Sequence, residues 1–185
     1  MPINIAHTIG TLALLGMLVV VSFSFAMVTT SLRVEVTKEQ LTAIGEYIAL
    51  HLVEMATLVE ASNLDYNYTG KIMVRNITIP PDIQGNVYLI EIITSSSKQC
   101  FVRLSLLSRR DISIDVPIPI KVESQTIILS TRLLPSLQEP PEKALYSSSG
   151  EVFQFAIWGY RIVILDGESR MEISYIGIGR WERPF

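Results

Sequence analysis

An uncharged apolar stretch occupies the N-terminal part of the chain, from Ile9 to Val28. Eleven of its residues are Leu, Ile, Val or Phe, and none is Asp, Glu, Lys or Arg. About 20 apolar residues, rising ~1.5 Å each, cross the ~30 Å hydrocarbon core of a bilayer. Because each Leu, Ile, Val or Phe contributes about −0.3 to −0.6 kcal/mol on insertion scales, the stretch gains about 3–7 kcal/mol on entering a membrane. The pattern predicts a transmembrane helix over residues 9–30, preceded by a short tail or leader over residues 1–8.

The apolar residues that follow recur at helical spacing. They step by three or four positions and so share one side of a helix; they are Leu41, Ile44, Ile48, Leu52, Met55 and Val59. No proline occurs between Pro2 and Pro80, so no proline ends the first helix at the membrane. The sequence therefore predicts one helix from about Ile9 to about Ala61, amphipathic over residues 31–62. Its stripe must pack on another surface, and two remain open: the chain's own β domain or neighbouring copies.

The remainder of the chain shows the alternation of strands. Between Ile112 and Val122 apolar residues occupy every second position, and Pro117 and Pro119 place this strand at a sheet edge because proline donates no ladder hydrogen bond. Further strands are predicted over residues 72–79, 87–94, 101–107, 126–133, 152–158, 160–165 and 171–178, with a hairpin turn at Asp166-Gly167. The predicted fold class is α+β, a long N-terminal helix followed by a mainly antiparallel β-sandwich-like domain over residues 70–185. Its own alternating faces predict that this domain folds without the helix.

The residue types exclude several classes of function. The net charge is −3, and Arg109-Arg110 is the only adjacent pair of basic residues, so no basic stripe is available for nucleic acid. Cys100 is the only cysteine, and His7 and His51 are the only histidines, which supply neither a disulfide nor a zinc site. The glycine-rich phosphate motifs and the nucleophile elbow are missing from the sequence. We expect no enzyme, no metal, no cofactor and no small-molecule substrate, with His51 in solvent or at the edge of the stripe.

The sequence gives opposing signals about orientation. Arg33 and Lys38 follow the apolar stretch and no basic residue precedes it, which by the positive-inside rule favours a cytoplasmic C-terminal domain. Two N-glycosylation sequons, beginning at Asn67 and Asn76, favour an extracytoplasmic domain. The small residues around Ala26 leave a cleaved signal peptide open, although the apolar core exceeds the usual 7–15 residues. Together with the resemblance below, these signals predict a single-pass protein of the cell membrane with its C-terminal domain extracytoplasmic.

The order of these elements resembles that of archaeal type IV pilin-like proteins, which carry a class III signal. The resemblance rests on an apolar helix that begins just after Gly10 and continues into an amphipathic helix and a β domain. Two stretches are similar to the family: Glu46-Tyr47-Ile48-Ala49 in the helix, and the run from Ile79 to Ile92, IPPDIQGNVYLIEI, at the start of a strand. The resemblance implies a structural subunit or minor component of a pilus or archaellum-related filament at the archaeal cell surface, processed at Gly10.

Two other functions fit the same residues. The family's leader carries Lys or Arg just before the cleavage glycine, whereas His7-Thr8-Ile9 precede Gly10 here. An unprocessed relative, similar to the membrane-tethered β-sandwich proteins that anchor the archaellum motor to the surface layer, is the first alternative. In that case the β domain of a monotopic anchor or stator binds a cell-envelope protein. An extracytoplasmic enzyme or ligand binder is the second alternative.

In the filament hypothesis the partners are membrane lipid and other pilin-like subunits; in the anchor hypothesis an envelope protein replaces the subunits. The residues expected to carry membrane contact and assembly are Leu12, Leu15, Val19, Phe23, Leu41, Ile44, Ile48 and Leu52.

Overall fold

The computed structural model describes residues 2–62, 72–95, 99–120, 125–129, 145–147, 154–166 and 169–181. One helix, α1, runs from Pro2 to Ala61. The chain divides into two compact units, Met1–Thr37 and Lys38–Phe185. The continuous helix predicted from about Ile9 to about Ala61 is confirmed, with its N-terminal end seven residues earlier than expected.

The first unit is helical, and its described side chains from His7 to Val28 are exposed. Hydroxyl groups at the end of the apolar stretch bond within the helix: Thr29 donates to the carbonyl of Phe25 at 2.8 Å, and Thr30 donates to that of Ala26 at 2.8 Å. Ser31 donates in the same way to Met27 at 3.1 Å. Such bonds to the carbonyl four residues earlier satisfy a hydroxyl without water, which lowers the cost of placing it near lipid.

The second unit contains two four-stranded sheets. Its strands are β1 Met73–Ile77, β2 Tyr88–Thr94, β3 Cys100–Leu106, β4 Ser113–Ile118, β5 Gln125–Leu129, β6 Leu145–Tyr146, β7 Gln154–Asp166 and β8 Ser169–Trp181. The first sheet has the order β1-β7-β8-β5 and the second the order β4-β3-β2-β6. All neighbours pair antiparallel except β5 and β8, which are parallel. The α+β fold class and the mainly antiparallel arrangement are confirmed.

Most observed strands begin within two residues of the predicted start. Two further features agree with the prediction and two differ from it. β4 is an edge strand as Pro117 predicts, and the hairpin at Asp166-Gly167 is confirmed by the pairing of Asp166 with Ser169. The two strands predicted over 152–158 and 160–165 form one strand, β7, because Gly159 continues the ladder opposite Ile176. The two-residue strand β6 lies between the strands predicted over 126–133 and 152–158, where no strand was predicted.

The amphipathic part of α1 forms the core of the second unit together with both sheets. All six residues of the predicted stripe are buried, and the small residues Ala49 and Ala56 widen the buried side. The opposing surfaces come from inward-facing strand residues that are fully or almost fully buried, among them Ile90, Val102, Leu104, Ile157, Ile176 and Ile178. The stripe therefore packs on the chain's own β domain, which settles the partner that the sequence left open.

Two glycines show how closely the helix approaches each sheet. A Cβ placed on Gly45 of α1 would lie 2.7 Å from Val116 Cγ2 in β4 and 3.1 Å from Leu104 Cδ1 in β3. A Cβ placed on Gly159 of β7 would lie 2.6 Å from Val59 Cγ2 of the helix. The separations of 2.7 Å at Gly45 and 2.6 Å at Gly159 are shorter than real Cβ contacts. Each glycine is therefore required by the close approach of helix and strand. One helix thus contacts both sheets.

This packing argues against the domain boundary expected from the sequence. The expected β domain began near residue 70 and folded without the helix, whereas the compact unit begins at Lys38. The core residues Leu41, Ile48 and Leu52 are 0% exposed, and Val59 is 1% exposed. Removing the helix would uncover the inner surface of both sheets.

We expect Gly45→Val to destabilise the second unit by about 1–3 kcal/mol, because the added methyl groups overpack the contact with Val116 and Leu104. The matched control is Ala43→Val, two residues away on the exposed side of the same helix, which should cost less than about 1 kcal/mol. Urea unfolding followed by far-UV circular dichroism measures both. Equal losses in the two variants would show that the helix does not press on the second sheet at Gly45.

Candidate membrane and assembly surface

The apolar half of α1 is exposed on every side. The four residues expected to carry assembly in this half, Leu12, Leu15, Val19 and Phe23, are 60–70% exposed. Residues on the opposite side, such as Leu14 and Val21, are 68% and 58% exposed. An apolar surface of this extent on a helix requires lipid or protein around it, because a helix that is apolar all round is stable only when buried.

Among the described residues, one helix is long and apolar enough to cross a membrane, and this stretch lies near its N-terminus. Its two glycines, Gly10 and Gly16, have nothing within 4 Å of an added Cβ. Gly10, the candidate processing site, therefore lies on an open helix surface. Such open positions allow a second helix to approach closely, as small residues do at helix–helix contacts in membranes.

The other four residues expected to carry assembly are placed differently. Leu41, Ile48 and Leu52 are 0% exposed and Ile44 is 8% exposed, all in the core of the second unit. Their expected role in contacts between subunits is corrected: the same helical periodicity that predicted an apolar stripe is filled by the chain's own sheets. Periodicity identifies a buried face but not the surface that buries it.

The exposed side of the same helix segment carries apolar residues that sequence reasoning missed. Tyr47, Leu50 and Leu58 are 39%, 55% and 50% exposed. By helical geometry Leu50 falls opposite the buried stripe, and Tyr47 and Leu58 fall on its flank. The positions of these three residues are visible in the sequence, but the stronger stripe of six residues was the pattern recognised there. We call Tyr47, Leu50 and Leu58 the outer helix patch.

A polar network links the helix to the first sheet. His51 lies beside the core at 8% exposure, and its Nδ1 is 2.9 Å from Oε2 of Glu54. Arg75 of β1 donates to the same Glu54 oxygen. The ring of His51 also meets Tyr47 edge-on, with centroids 4.4 Å apart. His51 lies at the edge of the stripe, one of the two placements expected, and not in solvent; Glu54 provides the hydrogen-bond partner that lets the imidazole be buried.

We expect a pH dependence of stability from this network. The hydrogen bond from His51 and the charge of Arg75 lower the pKa of Glu54, while partial burial opposes them. A carboxyl whose pKa is lower in the folded state stabilises the protein above its unfolded value and loses that contribution as pH falls through the folded value. Thermal unfolding between about pH 6 and pH 3 should therefore show a Tm difference between wild type and Glu54→Gln that shrinks with acidity. A difference that stays constant over this range would show that the Glu54 carboxylate is not stabilised by its partners.

The outer face of the second sheet carries a cross-strand ion pair. Arg103 of β3 donates from Nε and Nη2 to the two carboxylate oxygens of Asp115 in β4, at 2.6 and 2.7 Å. This two-point contact, with Glu91 nearby on β2, raises the pKa of Arg103, and it lowers the pKa of Asp115. Exposed pairs of this kind contribute little to stability but keep an edge strand charged, which disfavours edge-to-edge aggregation.

The first sheet has a stacked aromatic row on the face that looks away from the helix. Trp158, Tyr160 and Tyr175 stack with centroid separations of 5.8 and 5.2 Å. Trp158 and Tyr160 are 0% and 5% exposed. These aromatic residues therefore contribute to the packing of the second unit and offer no exposed binding surface.

The two sequons differ in what the structure shows. Asn76 lies in the edge strand β1 with its side chain exposed, and Thr78 of the same sequon is also exposed. Asn67 lies outside the described residues. Accessible placement at a sheet edge is compatible with glycosylation at Asn76, which stays a prediction.

The part of the chain that the structure describes contains no candidate metal site. No group of three or more His, Cys, Asp or Glu side chains there is arranged to hold a metal ion. Cys100 is buried, with its sulfur 3.6 Å from Oγ1 of Thr94. Comparison with known proteins adds no further assignment, since no family model, no curated protein and no solved structure matches this chain.

Proposed function

We propose that this chain is a membrane-tethered structural protein, a subunit or minor component of a type IV pilin-like filament that assembles through its apolar N-terminal helix. One observation carries the proposal: an uncharged, mainly apolar stretch of twenty residues, exposed all round, belongs to the same helix whose later part completes the core of a compact domain. The same helix therefore supplies the candidate membrane span and part of the core of the domain.

The chemistry of the exposed residues supports assembly rather than catalysis. Before assembly, Leu12, Leu15, Val19 and Phe23 would lie in lipid; in a filament the same residues would pack on neighbouring helices. The exchange is nearly neutral in hydrophobic terms because lipid and leucine are equally apolar. Specificity would then come from shape, to which the open surfaces at Gly10 and Gly16 contribute.

The outer helix patch extends the surface available for assembly into the second unit. Tyr47, Leu50 and Leu58 lie outside the core and are between 39% and 55% exposed. Within this segment they replace Leu41, Ile44, Ile48 and Leu52 as the residues that can reach another copy.

The domain is proposed to be extracytoplasmic. The sequons support this orientation, and Asn76 is exposed where a transferase could reach it. Arg33 and Lys38 oppose it under the positive-inside rule, so orientation is a separate claim with its own readout. Protection of the domain from protease added to intact cells would place it in the cytoplasm.

A second function is favoured because four of the eight residues expected to carry assembly are buried within the second unit. Because Leu41, Ile44, Ile48 and Leu52 are used internally, less helix surface is left for neighbouring subunits. A lone anchor or stator, whose β domain binds a cell-envelope protein, needs only the lipid-facing residues. The two functions differ in what the apolar half of α1 must contact.

The test compares two double alanine variants on opposite sides of the same helix. Leu12→Ala/Leu15→Ala alters the proposed assembly side, and Leu14→Ala/Val21→Ala alters the opposite side of the same helix. Each pair removes only about 0.6–1.2 kcal/mol of the insertion gain, so both should stay in carbonate-washed membranes. Electron microscopy of cell-surface preparations should show filaments lost in the first variant and kept in the second. Filaments unaffected by either pair, or never present in wild type, would favour the lone anchor.

A further inference from the structure

The loop between β3 and β4 combines exposed basic and apolar side chains. It leaves β3 at Leu106 and is held in a tight turn, in which the amide of Ile112 donates to the carbonyl of Arg109 at 3.0 Å. Leu107 is 43% exposed, and Arg109 and Arg110 are exposed beside it. Arg109 pairs with Asp111 at 3.0 Å, which leaves Arg110 as the cation of the loop that has no carboxylate partner among the described residues.

This loop lies at the end of the second unit where the helix enters it. Gly45 packs on Leu104 and Ile114, the residues just before and just after the loop in the β3–β4 hairpin. The pKa of Asp111 is lowered mainly by the hydrogen bond from Arg109 and, in smaller part, by the charge of Lys38, the first residue of the unit. Packing and charge therefore put the loop beside the first turns of this helix segment.

A second exposed turn is attached to the same loop. The amide of Leu107 donates to the carbonyl of Val87 at 2.9 Å, and Ser108 Oγ donates to Oδ1 of Asn86 at 2.8 Å. The turn ends in Gln84 and Gly85, whose φ angles are 52° and 76°. The two hydrogen bonds therefore hold the β3–β4 loop against the residues that directly follow this turn.

Chain connectivity limits how far Lys38 can lie from the apolar stretch. Ten residues separate Val28, the last of the uncharged stretch, from Lys38. As a helix they cover about 15 Å, while the polar headgroup layer of a bilayer is about 5–8 Å thick on each side. Side chains close to Lys38 are therefore within reach of the headgroups or within about one Debye length of them.

We propose that the β3–β4 loop is a second membrane contact, in which Arg110 binds the phosphates of anionic lipid headgroups and Leu107 enters the interface. Guanidinium groups suit this role because they bind phosphate oxygens in pairs. A cation on a loop adds to the attraction between a protein and an anionic membrane surface, and an adjacent exposed Leu adds apolar contact. The inference rests on the proposed tether, since without it nothing holds this loop near lipid.

The experiment uses the full chain in vesicles, with an environment-sensitive fluorophore on a single cysteine in a Cys100→Ala background. The reporter position is Ser108→Cys, and the control is Gln99→Cys, an exposed position at the other end of β3. We expect vesicles of phosphatidylcholine and phosphatidylglycerol to reduce quenching of the Ser108 label by aqueous iodide severalfold compared with phosphatidylcholine alone. The Gln99 label should not change. Raised salt, or Arg110→Gln, should abolish the difference.

Two further arms separate the outcomes. Inorganic phosphate added to phosphatidylcholine vesicles should leave the Ser108 label accessible, because the proposed ligand is a membrane surface; protection by free phosphate would overturn the lipid assignment. Equal accessibility in both lipids, with the chain still floating with the vesicles, would overturn the loop contact and leave the tether intact. A chain that does not float would contradict the proposed function itself. Unchanged circular dichroism and Tm in the labelled variants confirm that the fold is kept.

Discussion

A chain that begins at Gly70 should show no cooperative unfolding, whereas a chain that begins at Lys38 should unfold in a single transition. The shorter chain lacks Leu41, Ile48, Leu52 and Val59, which are all at most 1% exposed in the second unit. Burying each contributes about 1.5–3 kcal/mol, or about 6–12 kcal/mol together. That equals most of the 5–15 kcal/mol by which a domain is ordinarily stable.

Thermal unfolding followed by near-UV circular dichroism measures this difference, because it reports fixed packing around aromatic residues. As a control, the missing segment can be added back as a synthetic peptide covering residues 38–62, which should restore part of the signal. A cooperative transition in the chain from Gly70 would mean that the two sheets form a core without the helix.

Replacing Leu15 with Arg should release the chain from the membrane. The substitution costs about 2.5–3.5 kcal/mol at the centre of a span and also forfeits the gain from leucine. The whole stretch gains only about 3–7 kcal/mol, so the loss is comparable with the insertion energy. Carbonate extraction of membranes should then find the variant in the soluble fraction, with the second unit still folded.

Two comparisons make this result specific. Leu15→Ala should remain in the membrane, since it loses a small part of the gain, and Leu50→Arg should also remain because Leu50 lies in the second unit. Full carbonate resistance of Leu15→Arg, repeated for Val20→Arg, would refute the transmembrane assignment of residues 9–28.

Much of the fold follows from local pattern. The stripe from Leu41 to Val59 has the period of a helix, and Pro117 marks an edge strand; both predict the observed structure because each depends on backbone geometry alone. The division of β7 was mispredicted at Gly159, since glycine in a strand suggests an interruption. Here the missing side chain makes room for Val59 and Met55, which are 100 residues or more away in sequence. Such a contact leaves no local signal.

The candidate surface was predicted less completely for the same reason. The exposure of Leu12 and Leu15 follows from composition. An uncharged span has no polar side, so apolar residues are presented to the surroundings on every side. The burial of Leu41 depends on the sheets that cover it, which only the fold brings to the helix. The partner of His51 is local, because Glu54 lies three residues away on the same helix, whereas Arg75 reaches Glu54 only through the fold. The outer helix patch could have been found by asking which apolar residues the stripe leaves over.

The most direct test of the proposed function is photo-crosslinking at Leu15 in the cells that naturally make the protein. A photoreactive phenylalanine analogue at Leu15 reports which molecules lie against the apolar half of α1, and the same analogue at the buried Ile48 reports only the chain itself. A filament subunit should give, at Leu15, covalent dimers and larger multimers of this chain, with none at Ile48. Lipid adducts alone at Leu15, or adducts with a different protein, would contradict assembly of this chain through its N-terminal helix.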